Sequence, residues 1–93
     1  MFAIAFDMSI EGLKQNYGEP YNNAYFEINK EMRKWDFYRM QGSVYLTQNN
    51  DMGNLFAAID GLRKIEWFKK SVRDIRGFRV EDWSNFTNLF KQT

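Results

Sequence analysis

Phe2-Ala3-Ile4-Ala5-Phe6-Asp7 places five consecutive apolar residues directly before a single acid. A segment apolar at every position needs burial on both faces, so it reads as a central strand. Side chains alternate along a strand, which groups Phe2, Ile4 and Phe6 on one face and Ala3, Ala5 and Asp7 on the other. The bulky face suits covering helices, and the small face suits a close neighbour. Asp7 then stands at the rim of the sheet, a position that serves equally for a functional carboxylate and for plain strand-ending punctuation.

Working outward, the polar stretch Ser9 to Glu19 contains Gly12 and Gly18 and reads as a loop with room for a helical turn, ending at the single proline, Pro20. Proline is well placed in a helix's first turn, and Tyr21, Ala24, Tyr25, Ile28, Met32 and Trp35 then recur at three- and four-residue spacing. This predicts an amphipathic helix over Pro20 to Trp35. Two β-prone runs, Phe37 to Gln41 and Ser43 to Thr47, flank Gly42 as a hairpin or a bent strand. Gln48 to Asp51 forms a polar turn with an N-cap candidate. Met52, Leu55, Phe56, Ile59 and Leu62 then trace a second buried stripe, on a helix ending near Trp67 to Lys70. Val72 to Asp82 reads as a last strand with Gly77 as its bulge, and Trp83 to Phe90 as a tail able to pack as one or two helical turns. The order strand, helix, strand, strand, helix, strand is that of the split βαβ arrangement. The expected class is α+β: a ferredoxin-like βαββαβ domain spanning residues 1–93, with an antiparallel sheet, two helices on one face and a short C-terminal extension. The uncovered face must meet solvent or a partner, and Ala3 and Ala5 on it favour a second copy of the chain.

Composition narrows the chemistry. The chain has 93 residues with no cysteine and no histidine, which removes disulfides, the usual zinc ligands, thiolate nucleophiles and imidazole bases. Carboxylate, hydroxyl, lysine and arginine chemistry remains, and any metal would be a hard cation such as Mg2+ or Mn2+ held by oxygen. Glycines at 42, 53, 61 and 77 are isolated, so no phosphate-cradling motif points to an organic cofactor. No apolar run approaches membrane-spanning length, and the expected setting is cytoplasmic without membrane association. Nine Phe, five Tyr and three Trp supply core volume with some left for an interface. Net charge is only +1, yet seven basic residues against two acids lie between Arg63 and Arg79. That segment is either a phosphate-binding patch or a solvated helix end with charged strand flanks.

Four stretches together resemble the virulence-associated protein D (VapD) family of bacteria. They are Ala3-Ile4-Ala5-Phe6-Asp7, Tyr17-Gly18-Glu19-Pro20-Tyr21-Asn22, Gln41-Gly42-Ser43-Val44-Tyr45, and the string from Ile65-Glu66-Trp67-Phe68-Lys69-Lys70 through Ser71-Val72-Arg73-Asp74-Ile75-Arg76. Arg39 to Tyr45 and the strand-ended Asp7 are also similar to the pattern of the small ferredoxin-fold nucleases of CRISPR systems. The resemblance implies a symmetric dimer whose Asp7 carboxylates face one another near the two-fold axis. It also implies endoribonuclease activity on single-stranded RNA and, as in several bacteria, toxin behaviour with room for an antitoxin partner. A non-catalytic dimeric nucleic-acid-binding or scaffold protein is the alternative, since this fold hosts many functions. On the nuclease reading Asp7, Ser43 and Asp74 are the catalytic candidates, with Asp7 also the metal ligand. Lys14, Arg39, Lys69, Lys70, Arg73 and Arg76 are the RNA contacts. Tyr45, Trp67 and Phe68 are either base-stacking residues or core. Asp74, between Arg73 and Arg76, also fits a salt bridge that orients an arginine.

Overall fold

A computed structural model describes residues 1–92. The opening run forms β1 (Phe2–Met8), followed by α1 (Ile10–Asn16), α2 (Asn23–Arg33), β2 (Tyr38–Gln41) and β3 (Val44–Thr47). Then come α3 (Met52–Arg63), α4 (Glu66–Ser71), β4 (Val72–Arg79) and α5 (Thr87–Lys91). The four strands make one sheet in the order β2-β3-β1-β4, every neighbour antiparallel. This is the ferredoxin-like order, with β1 inside the sheet as its apolar run requires.

Alternation along β1 sorts the two faces as expected. Phe2, Ile4 and Phe6 join Leu13, Ile28, Met32, Leu55, Leu62 and Phe68 in the core beneath the helices. On the opposite face the register lays three rows across the strands: Tyr38, Leu46, Ala3 and Phe78; then Gln41, Val44, Ala5 and Arg76; then Asp7 and Asp74. No helix of the core covers these rows.

Local chemistry explains where the elements depart from the expected boundaries. The Ser9 to Glu19 stretch contains a full short helix, because Ser9 Oγ accepts the Gly12 N–H at 2.9 Å and Glu11 complements the first turn. Only Leu13 of that helix is buried, so it carries no periodic stripe to reveal it. Pro20 to Asn22 form a turn, and α2 begins at Asn23 rather than at the proline. The second helix is two: α3, capped by the Asp51 carboxylate on the Gly53 N–H at 2.9 Å, ends at Arg63, and α4 restarts after Ile65. This break lets α4 pack on α1, where the Ser9 N–H reaches the Ser71 carbonyl at 2.9 Å and Trp67 meets Tyr17 edge-on at 4.9 Å. β4 stops at Arg79, with one further ladder bond from the Val80 N–H to the Met1 carbonyl at 2.8 Å. Gly77 is not a bulge. It pairs in register with Ile4, and its missing side chain leaves room for Leu55, whose Cδ1 would lie 3.3 Å from an added Cβ. The tail forms the single turn of α5 and buries none of its residues, leaving Trp83, Phe86 and Leu89 exposed. Among the described residues no helix is long and apolar enough to cross a membrane.

Candidate active site

The ladder between β1 and β4 slips by one residue at the end of the sheet. Asp7 pairs with Asp74 but Met8 pairs with Val72, so Arg73 is the extra residue of a β-bulge. A bulge sets two residues against one and re-aims a side chain. Here it turns Arg73 toward Asp7, where Nη2 donates to Oδ2 at 2.7 Å and Nε to the same oxygen at 3.2 Å. The side chains are open to solvent, 65% for Arg73 and 58% for Asp7.

Asp74 faces Asp7 directly across the strand pair, an arrangement of like charges that costs stability unless cations offset it. Arg76 supplies the second cation, its Nε 3.0 Å from Asp74 Oδ2 and its Nη2 3.3 Å from Oδ1. Those hydrogen bonds hold the Arg76 guanidinium above its ordinary value, so it stays charged at any relevant pH. Exposed ion pairs of this kind hold weakly and exchange readily for another anion. The sheet end is therefore two carboxylates and two guanidiniums, mutually neutralised and accessible.

On the helix side of the same end lies a second group. Arg39 pairs across the strands with Tyr45 and donates from Nε to the Gly42 carbonyl at 2.6 Å. Tyr45 is 1% exposed and stacks on Phe6 with centroids 5.9 Å apart; Phe68 is 2% exposed and edge-on to Phe6 at 5.4 Å. Neither ring is free to receive a base, which corrects the stacking role considered for them. Trp67 is half-buried against Tyr17. Tyr25 belongs by its spacing to the α2 core stripe, but it is only partly buried. Burial pushes its phenol above the ordinary value, with Tyr21 and then Asp7 adding to the rise and Arg39 opposing it. Burial likewise raises Tyr45, with Arg39 opposing. Tyr25 thus lies within electrostatic reach of both Asp7 and Arg39. Only the polar hydroxyl on a residue of the apolar stripe signals this in the sequence.

The remaining candidates divide. Ser43 sits beside the end of β1, its carbonyl accepting the Phe6 N–H at 3.2 Å, but alternation turns its side chain to the Phe6 face, away from Asp7. Lys14 projects from α1 with its Nζ 5.6 Å from the Tyr21 ring centroid. Lys70 is exposed near the end of α4, three residues before Arg73, which already lies in β4. Lys69 instead borders an apolar groove with Arg63, and Arg79 lies over the Phe2 ring at 4.8 Å, at the far end of β4. Arg63 and Lys64 are both paired with Asp60. The basic segment is thus several separate surfaces, with only Arg73 and Arg76 gathered on the two acids. As metal donors, Asp7 and Asp74 make a two-carboxylate set; among the described residues no group of three acids comes together.

The profile of the family described as CRISPR associated protein Cas2 matches residues 1–87. The chain belongs to the Cas2 family. The chain is similar to Endoribonuclease VapD 1 of Riemerella anatipestifer, at 60% identity over 91% of the chain and 96% of the relative. Endoribonuclease VapD of Dichelobacter nodosus is 57% identical over 98% of each protein. Endoribonuclease VapD of Helicobacter pylori is 52% identical over 98% of the chain and 99% of the relative. The VapD resemblance and the likeness to CRISPR nucleases read from the sequence are both borne out.

Proposed function

We propose that the chain cleaves single-stranded RNA at a two-fold site, formed when two copies pair through the open face of the sheet. It is an endoribonuclease, the activity named for relatives 60% and 57% identical over nearly the whole chain. The observation that carries the rest is the opposed pair Asp7 and Asp74, each held by an exposed arginine.

A phosphate arriving at this site competes with the carboxylates for the guanidiniums, whose planar forks suit bidentate capture of its oxygens. When Arg73 turns to phosphate, the Asp7 carboxylate is released beside the scissile linkage. It then takes the proton of the ribose 2′-hydroxyl as that oxygen attacks phosphorus. Arg73 and Arg76 stand where negative charge develops on the pentavalent phosphate. The Tyr25 phenol, within electrostatic reach of Asp7, is the available donor for the leaving 5′-oxygen, although burial makes it a weaker acid than a free tyrosine. Asp7 and Asp74 also fit Mg2+ or Mn2+, since such ions are commonly held by one or two carboxylates with water and phosphate oxygens completing the shell. A bound ion would supply Lewis-acid stabilisation of the phosphate.

Pairing is supported by what the single chain leaves uncovered. Ala3 and Leu46 at the centre of this face are already buried, but Tyr38 and Phe78 at its two edges are exposed, as are Trp83, Phe86 and Leu89 of the tail. Each dimer would set two Asp7 carboxylates near one axis. We extend the reading to a cytoplasmic toxin restrained by an antitoxin protein: induced expression is expected to arrest growth, whereas Asp7→Asn does not.

Product chemistry tests the mechanism. Purified protein with labelled single-stranded RNA in chelator is expected to yield 2′,3′-cyclic phosphate ends, at a light-scattering mass of two chains. Ends bearing 5′-phosphate that vanish in chelator would transfer Asp7 from base to metal ligand. No cleavage by a folded dimer would favour the non-catalytic scaffold.

A further inference from the structure

A second surface lies away from the acids, between α3 and the edge strand β4. Two adjoining hollows of about 420 and 180 Å3 share Ile59 and Ile75 and run along the length of α3. Met52, Leu55 and Phe56 wall the upper part, and Leu62, Phe68 and Val72 the lower. The groove exists because Gly77 presents no side chain on this face of β4, so Leu55 settles against bare backbone instead of against a neighbour's side chain. Its rim is costly to leave in water: Phe56 is 63% exposed, Met52 49% and Phe78 44%. Solitary exposed apolar residues are ordinary, but a contiguous apolar channel with a charged rim marks an interaction site.

The charge on that rim is one-sided. Arg79 closes the upper end, and Arg63 and Lys69 flank the lower. Asp60 is the acid nearest this rim along α3, and it is already satisfied, with Arg63 Nη2 at 2.6 Å and Lys64 Nζ at 3.2 Å holding its carboxyl below the usual range. Lys69 is left facing solvent. An RNA strand would use these cations and the exposed rings of Phe56 and Phe78, but the floor between them is aliphatic, Leu55, Ile59, Leu62 and Ile75, and offers a base no stacking surface. A segment carrying both apolar anchors and acids uses both. From Met52 to Leu62 the groove spans roughly 15 Å, about three turns of helix.

We propose that this groove docks an acidic amphipathic helix of a partner protein, its apolar face laid between α3 and β4 and its carboxylates directed to Arg79 at one end and Arg63 and Lys69 at the other. The mode is that of a helix in a hydrophobic groove, read through anchors at helical spacing. The chain's own tail does not fit: α5 is a single turn without an acid, and the acids Glu81 and Asp82 precede it. The groove is distinct from the nuclease site: Val72 and Ile75 neighbour Arg73, Asp74 and Arg76 along the chain but face the core side, whereas the acids and their arginines line neither hollow.

Methyl NMR on the full chain tests it, with Met52, Ile59 and Ile75 as groove reporters and Ile28 and Met32 as core controls. The probe is a synthetic helix of about twelve residues, leucine at every third or fourth position and glutamate elsewhere. Saturable shifts of the groove reporters alone are expected, weakened about tenfold or more by Phe56→Glu and by Arg79→Glu, and abolished when the probe's glutamates are replaced by lysine. Phe56→Glu is expected to leave RNA cleavage unchanged, which separates this surface from the catalytic reading. Equal shifts from the lysine probe, no shifts at about 1 mM, or groove reporters that move with protein concentration alone would each overturn the proposal, the last by assigning the groove to a second copy.

Discussion

Replacing Asp7 by Asn separates a functional acid from a structural one, because the structure predicts opposite sizes for its two effects. The amide keeps the volume of the carboxylate and can still accept from Arg73, so the bulge retains its shape. Removing the charge weakens an exposed ion pair, a loss of about 0.2–1 kcal/mol. It also relieves the repulsion with Asp74 directly across the ladder, a term of similar size and opposite sign. The sum lies within about 0.5 kcal/mol, as for most surface substitutions. For a domain of this size that moves the melting temperature by no more than about 4 °C. Cleavage, by contrast, loses its base or its metal ligand and is expected to fall about 100-fold or more. The assay is paired: thermal unfolding and light scattering to verify a folded dimer, then initial rates on labelled single-stranded RNA. A variant that cleaves like wild type would remove Asp7 from the chemistry. One that melts more than about 8 °C lower would make the acid a structural brace and refute the cancellation argued from the register.

Arg73→Ala is expected to weaken RNA binding and to reduce the slope of log affinity against log salt by about 0.7, the increment for one single-strand phosphate contact; an unchanged slope in a binding titration would exclude that contact. Tyr25 and Tyr45 are expected to ionise above the ordinary value of 10.0 in an ultraviolet titration. Because the unfolded chain then releases those protons first, their contribution to stability is complete below pH 10 and declines as pH rises from there toward the folded values, a trend that chemical denaturation at stepped pH measures. Phe68→Ala empties a site in edge contact with both Phe6 and Trp67 and is expected to cost about 3–5 kcal/mol, read as a lowered denaturation midpoint. A cost below about 1 kcal/mol would show that α4 contributes little to the core.

The sheet was legible because its cause is local. The β1 run and its alternation determine which strand is central and which face carries Asp7, and Ala24, Ile28 and Met32 mark the first covering helix. The second stripe holds only at Leu55 and Leu62 and in part at Ile59: Met52 and Phe56 are exposed, and the small Ala58, which the stripe omits, is buried in their place. Features set by contacts between distant segments were not legible. The break between α3 and α4 is concealed because Ile65 and Phe68 continue a helical spacing across it, and only packing on α1 reveals it. Gly77 drew the bulge to itself because glycine is a bulge residue, but the irregularity lies at Arg73, and the glycine serves Leu55. The basic segment is continuous in sequence but not in space. Strand and helix geometry sends Arg73 and Arg76 to the two acids, and Arg63, Lys69 and Arg79 to the rim of the groove between α3 and β4. Asp7 and Asp74 were recognised separately, while their direct opposition needed the register.

That register has a genetic corollary. Val72 and Ile75 both pack on the core although two residues, Arg73 and Asp74, lie between them, which the alternation of a regular strand does not allow. The surplus residue at Arg73 absorbs the parity, so one strand serves the core on both sides of it while showing its acid to the opposite face. Loss of that single codon would leave Val72 and Ile75 two positions apart, the spacing of a regular strand, so both would still face the core and the ladder would straighten. Loss of one residue from Ile75 to Arg79 has no such slack and would turn part of the strand outward. Deletion of Arg73 is therefore expected to keep the fold and to remove the cation that holds Asp7, whereas single deletions further along β4 are tolerated only with a compensating insertion.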